Sequence, residues 1–223
     1  QHGGHLGIRP DFTLITQDVD RIALLEPLAQ ALGEEGHIVP TDRKNLLALI
    51  DRLLAESYDG GPEAPSLVQT PSWVPPLFSG YCDVLAATNR LDFGGLLHFA
   101  RRLLQEKPGV ARVLRLGWTH VCVDEFQDTN KTQYDLLRLI VADKQPNLFV
   151  VADDDQIVYQ WNGASPERLQ SLQTDYAMET VQLPQNYRCP PEIIDLANKL
   201  IAHNQLRTAD KKPLSTFRSP SLG

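Results

Sequence analysis

The chain has 223 residues and a formal net charge of −7; 42% of its residues are hydrophobic and 22% are charged. This is the composition of a soluble globular protein with a substantial core, and the acidic balance argues against a nucleic-acid coat held by bulk positive charge. No apolar stretch is long enough to span a membrane, and three scattered cysteines predict neither a disulfide framework nor a zinc site. We therefore expect a cytoplasmic protein.

The first 118 residues are predicted to be mainly helical. Apolar residues recur at helical spacing between Leu46 and Leu54, with Thr41 as the expected N-cap, and residues 20–32 carry a similar stripe. Prolines and glycines interrupt the pattern between residues 60 and 76, which predicts an exposed connection. Helical spacing then returns over residues 77–89 and 92–104.

From residue 119 onwards, apolar runs of strand length alternate with helical patterns. The predicted strands are 119–123, 147–152 and 179–183, and the predicted helices are 131–141, 166–172 and 191–203. This alternation is typical of a parallel α/β sheet, in which ligands gather at the carboxyl ends of the strands. The tail from Lys211 is expected to be weakly ordered.

The first chemical cluster follows the first of these strands. Asp124 and Glu125 begin the sequence Asp-Glu-Phe-Gln-Asp-Thr. Adjacent carboxylates at a strand end are costly unless a cation or a proton shares the site, and Mg²⁺ suits one or two carboxylates together with substrate phosphates. Such a pair can hold a hydrated ion and polarise an attacking water, although a lone Asp-Glu pair is more often a solvated strand end.

The second cluster follows the next strand and contains three acids, Asp153, Asp154 and Asp155, then Gln156. A neutral amide such as Gln156 can orient a water or sense a terminal phosphate oxygen. Nearby, Tyr159 and Trp161 offer flat faces on which bases can stack, or one of them fills the core beneath the loop.

The third cluster is Gln185-Asn186-Tyr187-Arg188. An arginine after a strand and beside an aromatic residue can grip a phosphate with two hydrogen bonds and neutralise charge that develops during phosphoryl transfer. Taken alone, Arg188 would be read as a surface salt-bridge residue.

The three clusters, in this order and spacing, resemble motifs II, III and IV of the UvrD/Rep/PcrA branch of superfamily 1 DNA helicases. The resemblance implies an α/β fold containing part of a RecA-like parallel sheet of the P-loop NTPase type. It implies a helical 1B-like insertion at residues 1–118, part of motor domain 1A at 119–180, and the start of motor domain 2A at 181–223.

The resemblance also implies a function. The whole protein would be an ATP-dependent DNA helicase that tracks single-stranded DNA 3′ to 5′, acts at junctions of single- and double-stranded DNA in the nucleoid, and uses ATP and Mg²⁺. Asp124 would hold the metal, Glu125 would be the catalytic base, and Gln156 and the arginine finger Arg188 would complete the catalytic set. The residues implied to bind nucleotide are Asp124, Glu125, Gln156, Tyr187 and Arg188. Those implied to lie at the DNA are Tyr159, Trp161 and Asn162.

Three features depart from the family pattern. Asn162 stands where the family has an arginine, and Gly94 and Gly95 stand where it has acids. No G-x-x-x-x-G-K-[ST] sequence occurs, so the 223 residues alone are expected to lack ATPase activity, with the phosphate loop upstream and the rest of the second motor domain downstream. Sheet edges left open would favour self-association.

Two alternatives to the motor are kept. One is a relative without motor activity that serves as a DNA-binding or scaffolding module. The other is a metal-dependent nuclease that uses Asp124, Glu125 and the acids at 153–155, since clustered carboxylates also build two-metal phosphodiesterase sites. The nuclease leaves Gln156, Trp161 and Arg188 without roles.

Overall fold

The computed structural model describes residues 2–65, 67–141, 147–157, 163, 165–204 and 210–217. These residues fall into two compact units. The larger contains the described residues up to Cys122, those from Thr129 to Phe149, and Gly163. The smaller contains Val123–Asp128, the described residues from Val150 to Ile157, and those from Ser165 onwards.

Helices dominate the larger unit. Its helices are α1 (Asp18–Glu34), α2 (Arg43–Ala55), α3 (Val74–Thr88), α4 (Phe93–Glu106), α5 (Pro108–Gly117) and α6 (Lys131–Ile140). The buried core comes mainly from α1 to α3, with Leu25, Ile50 and Tyr81 fully enclosed. The helices predicted from apolar spacing are therefore confirmed, with bounds shifted by a few residues.

The N-cap of α2 is Asp42, so the prediction of Thr41 was wrong. The Asp42 side chain accepts hydrogen bonds from the backbone N–H groups of Lys44 and Asn45. A carboxylate also interacts favourably with the positive end of the helix dipole, which a threonine hydroxyl does only weakly.

A buried polar network joins the first four helices. Asp92, the N-cap of α4, is 2% exposed and accepts hydrogen bonds from the Tyr81 hydroxyl at 2.6 Å and the Arg21 guanidinium at 2.8 Å. Arg21 lies on α1 and also pairs with Asp51 on α2. Burial, followed by the charge of Asp92, raises the pKa of Tyr81, so the phenol remains a donor. Each of these three polar side chains thus has a partner within the network.

The two glycines that replace acids begin α4 at a point of close packing. A Cβ atom at Gly94 would lie 2.8 Å from Leu54 Cδ1, and one at Gly95 would lie 2.8 Å from both Asp92 Oδ1 and Leu85 Cδ1. A side chain at either position would therefore require these neighbouring side chains to shift.

Helices of the smaller unit are α7 (Pro166–Tyr176) and α8 (Pro191–Ile201), where helices were predicted. The described strands of the chain form three two-stranded sheets: β1 (Thr13–Leu14) with β2 (Arg90–Leu91), β3 (Val121–Val123) with β4 (Leu148–Val150), and β5 (Gln185–Asn186) with β6 (Ser215–Thr216). The first and last pairs are parallel.

The β3–β4 pair carries the first two chemical clusters at its carboxyl end. Its backbone hydrogen bonds join Val121 N–H to the Asn147 carbonyl and Val151 N–H to the Val123 carbonyl, so both strands advance in the same direction. The mixed helix-and-strand class with parallel pairing is confirmed, and the larger RecA-like sheet stays a prediction.

The strand predicted at residues 179–183 was wrong. These residues have no regular structure, and Val181 and Leu183 are exposed. The strand begins two residues later, at Gln185, where β6 supplies a hydrogen-bonding partner. The expectation of a weakly ordered tail was also wrong for residues 211–217, since β6 belongs to that segment.

Candidate functional site

The acidic pair lies directly after β3, and both side chains are exposed. Asp124 Oδ1 accepts a hydrogen bond from the Glu125 backbone N–H at 3.0 Å. Glu125 has a φ of 49°, a left-handed conformation that costs a non-glycine residue about 1–2 kcal/mol. The chain then enters a short 3-10 segment, Phe126–Asp128, in which Phe126 and Gln127 are buried. The pair thus sits at a tight turn whose following residues anchor it.

Gln127 connects this pair to the second cluster. Its side-chain Nε2 donates to Glu125 Oε2 at 2.6 Å, and its Oε1 accepts from the Asp153 backbone N–H at 3.0 Å. Asp153 Oδ2 in turn accepts from Gln156 Nε2 at 2.6 Å. Three hydrogen bonds therefore run from Glu125 to Gln156, two of the residues that the sequence singled out.

The second cluster is a 3-10 turn, Asp154–Gln156, that follows β4 and is capped by Asp153. Lys211 reaches all three aspartates: its Nζ lies 2.5 Å from Asp153 Oδ1 and 2.9 Å from Asp155 Oδ2, and it also contacts Asp154 Oδ1. Burial alone would raise the pKa of the Asp153 carboxyl, but hydrogen bonds from Lys211 and Gln156 outweigh burial and hold the pKa below its usual value. The same contacts raise the pKa of Lys211 against the opposing effect of burial.

The two acidic clusters differ in how their charge is balanced. Ligand oxygens of the Asp153–Asp155 cluster lie within 4.8 Å of one another, close enough for a metal, but the Lys211 ammonium already supplies a cation there. Among the described residues, Asp124 Oδ2 accepts no hydrogen bond. An exposed carboxylate oxygen of this kind fits hydrated Mg²⁺, which needs only one or two protein ligands.

Tyr187 and Arg188 follow β5 in the same unit. The Tyr187 ring packs on Phe217 with centroids 5.1 Å apart, and its hydroxyl donates to Gln185 Oε1. Arg188 is exposed; its backbone N–H donates to Asn186 Oδ1. Within the part of the chain that the structure describes, its guanidinium has no hydrogen bond or ion pair, so the structure does not bring it to Glu125 or Gln156. The residues expected at DNA, Tyr159, Trp161 and Asn162, lie outside the described residues.

Sequence reasoning assigned no role to two residues of this site. Gln127 lies within the first motif, and its signal was an amide among apolar and acidic neighbours just after a strand. Lys211 is the first residue of a tail that was expected to be weakly ordered. Nothing in the sequence near it indicates that it would reach acids 56 to 58 residues earlier (211 − 155 and 211 − 153).

Comparison with known proteins identifies the family of this chain. The model of the UvrD/REP helicase N-terminal domain matches residues 2–177, which is most of the chain. The chain belongs to the UvrD/Rep helicase family. None of the helices in its described portion is both long and apolar enough to cross a membrane.

Curated relatives carry the same family names. The ATP-dependent DNA helicase PcrA of Staphylococcus aureus is 38% identical over 219 residues, which cover 98% of this chain and 29% of the relative. The ATP-dependent DNA helicase Rep of Escherichia coli is 34% identical over 201 residues, 89% of this chain and 29% of the relative. DNA helicase II of Haemophilus influenzae is 38% identical over 139 residues, 62% and 19% respectively. The chain thus spans less than a third of each of these relatives.

Proposed function

We propose that this chain is the part of an ATP-dependent DNA helicase that positions Mg²⁺, the attacking water and the terminal phosphate of ATP. The observation that carries the proposal is the hydrogen-bond chain from Glu125 through Gln127 and Asp153 to Gln156. It couples a carboxylate suited to activating water to an amide suited to sensing a phosphate oxygen. Family membership supports the same conclusion.

Each residue has a proposed task. Asp124 binds Mg²⁺, which supplies charge neutralisation between the nucleotide phosphates. Glu125 orients and deprotonates the attacking water, since its carboxylate is exposed on one side and fixed by Gln127 on the other. Gln156 binds a terminal phosphate oxygen, and Tyr187 and Arg188 approach the nucleotide when it binds. Because the chain has no G-x-x-x-x-G-K-[ST] sequence, residues 1–223 alone hydrolyse no ATP.

The DNA-facing part of the proposal follows the family resemblance. Tyr159 and Trp161 stack on single-stranded bases beside Asn162, and translocation runs 3′ to 5′ from junctions in the nucleoid. Residues 1–118 form a 1B-like insertion, 119–180 part of a RecA-like domain 1A, and 181–223 the start of domain 2A. Phe149 in β4 and Val151 just after it are apolar and remain exposed although β3 and β4 are paired. Such exposed apolar side chains support self-association of the isolated chain.

The test is Glu125→Gln in the full-length protein that contains this chain. The new amide oxygen still accepts from Gln127, so the hydrogen-bond chain persists while the basic charge is lost. We expect DNA-stimulated ATP hydrolysis to fall by about 10²–10⁴-fold with nucleotide binding largely intact. Glu179→Gln, at an exposed acid without a site contact, serves as the matched control.

Two results would argue against the proposal. If Glu125→Gln retains DNA-stimulated ATP hydrolysis, Glu125 is not the catalytic base. A wild-type protein that binds DNA yet shows no DNA-stimulated hydrolysis supports the relative without motor activity instead. Cleavage of labelled DNA in Mg²⁺, abolished by Asp124→Ala, would support the nuclease.

A further inference from the structure

Gln127 is the buried centre of the site. Its residue exposure is 3%, whereas Glu125 and Gln156 at the two ends of the hydrogen-bond chain are exposed. The ends therefore face the solvent from which a substrate arrives, and the connection between them is shielded from it. A buried amide in such a place makes stronger hydrogen bonds than an exposed one, because water does not compete for its partners.

The partners of Gln127 determine which way its amide points. A carboxylate oxygen of Glu125 can only accept, so the amide nitrogen must face it. The backbone N–H of Asp153 can only donate, so the amide oxygen must face that side. The reverse orientation would set oxygen against oxygen and donor against donor. Glutamine is therefore the side chain of this length that satisfies both neighbours at once.

The backbone of Glu125 adds a reason for such a support. At a φ of 49° the backbone of Glu125 has a left-handed conformation that a non-glycine residue disfavours, so contacts from neighbouring residues must hold this turn. Among the described residues, Gln127 provides the one hydrogen bond to the Glu125 carboxylate.

We propose that Gln127 is a positioning residue for the hydrolysis proposed above, on which this inference rests. It holds the Glu125 carboxylate at a fixed position relative to the Asp153–Gln156 turn. The water-activating group, Glu125, and the phosphate-sensing group, Gln156, therefore move together. Gln127 itself touches neither water nor phosphate.

The decisive variant is Gln127→Glu in the full-length protein. The carboxylate keeps the length of glutamine and an oxygen for the Asp153 N–H, but it removes the donor to Glu125 and places a like charge beside it. We expect kcat for DNA-stimulated ATP hydrolysis to fall at least 10-fold while KM for ATP stays within twofold. Gln127→Met, which removes both hydrogen bonds, should lower kcat as far or further.

A second measurement reports the geometry without hydrolysis. Gln127→Met should accelerate amide hydrogen exchange at Asp153, whose N–H loses its acceptor, while exchange at Val151 on the neighbouring backbone ladder changes less than twofold. Gln173→Met, at a glutamine of α7 whose amide donates to the Thr180 hydroxyl, is the matched control and should leave kcat, KM and exchange at Asp153 unchanged.

The outcomes separate this inference from the proposed function. An active wild type with kcat unchanged in Gln127→Glu overturns the positioning role alone. So does a loss that follows the folded fraction, since a purely structural role lowers the active concentration and not kcat per folded molecule. A wild type without DNA-stimulated hydrolysis overturns the proposed function and this role with it.

Discussion

In the larger unit, helices α1 to α3 bury a continuous apolar core, and the charged residues Asp92 and Arg101 are buried as well. In the smaller unit, the described residues bury only three apolar side chains, Phe126, Leu172 and Ile194, and polar contacts around Asp153 hold the turns. The residues suited to chemistry, Glu125 and Gln156, lie in the smaller unit. Stability and chemistry are thus supplied by different parts of the chain, and three experiments test that division.

The largest effect is expected in the larger unit, from Asp92→Ala. This variant leaves the Arg21 guanidinium and the Tyr81 hydroxyl without a buried acceptor and removes the cap of α4. The free energy of unfolding of the 1–223 chain should fall by about 3 kcal/mol, measured by urea unfolding with circular dichroism. The control Asp83→Ala, at an exposed position of α3, should change it by less than about 0.5 kcal/mol. Equal effects would show that the network is not a stabilising centre.

The next effect is the pH dependence of the larger unit, through His98. Burial, then the nearby Arg101, lowers the pKa of His98 from 6.5 to about 4. His98 therefore binds a proton near pH 6.5 in the unfolded chain but only near pH 4 in the folded chain. As a result, the free energy of unfolding decreases as the pH falls from about 6.5 to about 4. Between pH 7 and pH 5 this amounts to about 2 kcal/mol.

The pH effect can be isolated by substitution. His98→Phe keeps an aromatic ring against Phe78 and Phe99 and should remove most of the loss between pH 7 and pH 5. His203→Phe, at an exposed histidine, should leave the loss in place. A loss of the same size in His98→Phe would assign it to other groups.

The smallest effect is expected in the smaller unit, from Lys211→Met. Because the ion pairs of Lys211 are only partly buried, their loss should cost about 1 kcal/mol, with faster hydrogen exchange at Asp155 and Gln156. Ca²⁺ should slow that exchange in the variant and not in the wild type, because the three carboxylates then lack the ammonium. Lys212→Met is the matched control. Unchanged hydrogen exchange in Lys211→Met would show that the ion pairs of Lys211 do not stabilise the smaller unit.

The sequence predicted best where a pattern is local. Apolar spacing located α1 to α4 and α6 to α8, since each helix needs one buried stripe regardless of its partners. It did not predict α5, in which Ala111 is the one buried residue. It failed at residues 179–183, because an apolar run becomes a strand only where another strand is available to bond it. It also chose Thr41 over Asp42 as a cap, since neighbouring candidates differ by less than propensity can separate.

For the site, the motifs identified Glu125 and Gln156, but not what joins them. The contribution of Gln127 depends on a backbone N–H at Asp153, and the charge of the acidic turn depends on Lys211. Both are contacts between segments that are far apart in the chain, and residue type alone does not predict such contacts. Single-residue chemistry could therefore be read from the sequence, whereas the support of each group could not.

The position of Lys211 has a consequence for the order of events during synthesis. Asp153 leaves the ribosome 58 residues ahead of the ammonium that neutralises it. At about 5–20 residues per second, the three acids of the turn wait about 3–12 seconds for their counterion. Until then the turn lacks this counterion, so we expect its ion cluster to form only after Lys211 has emerged.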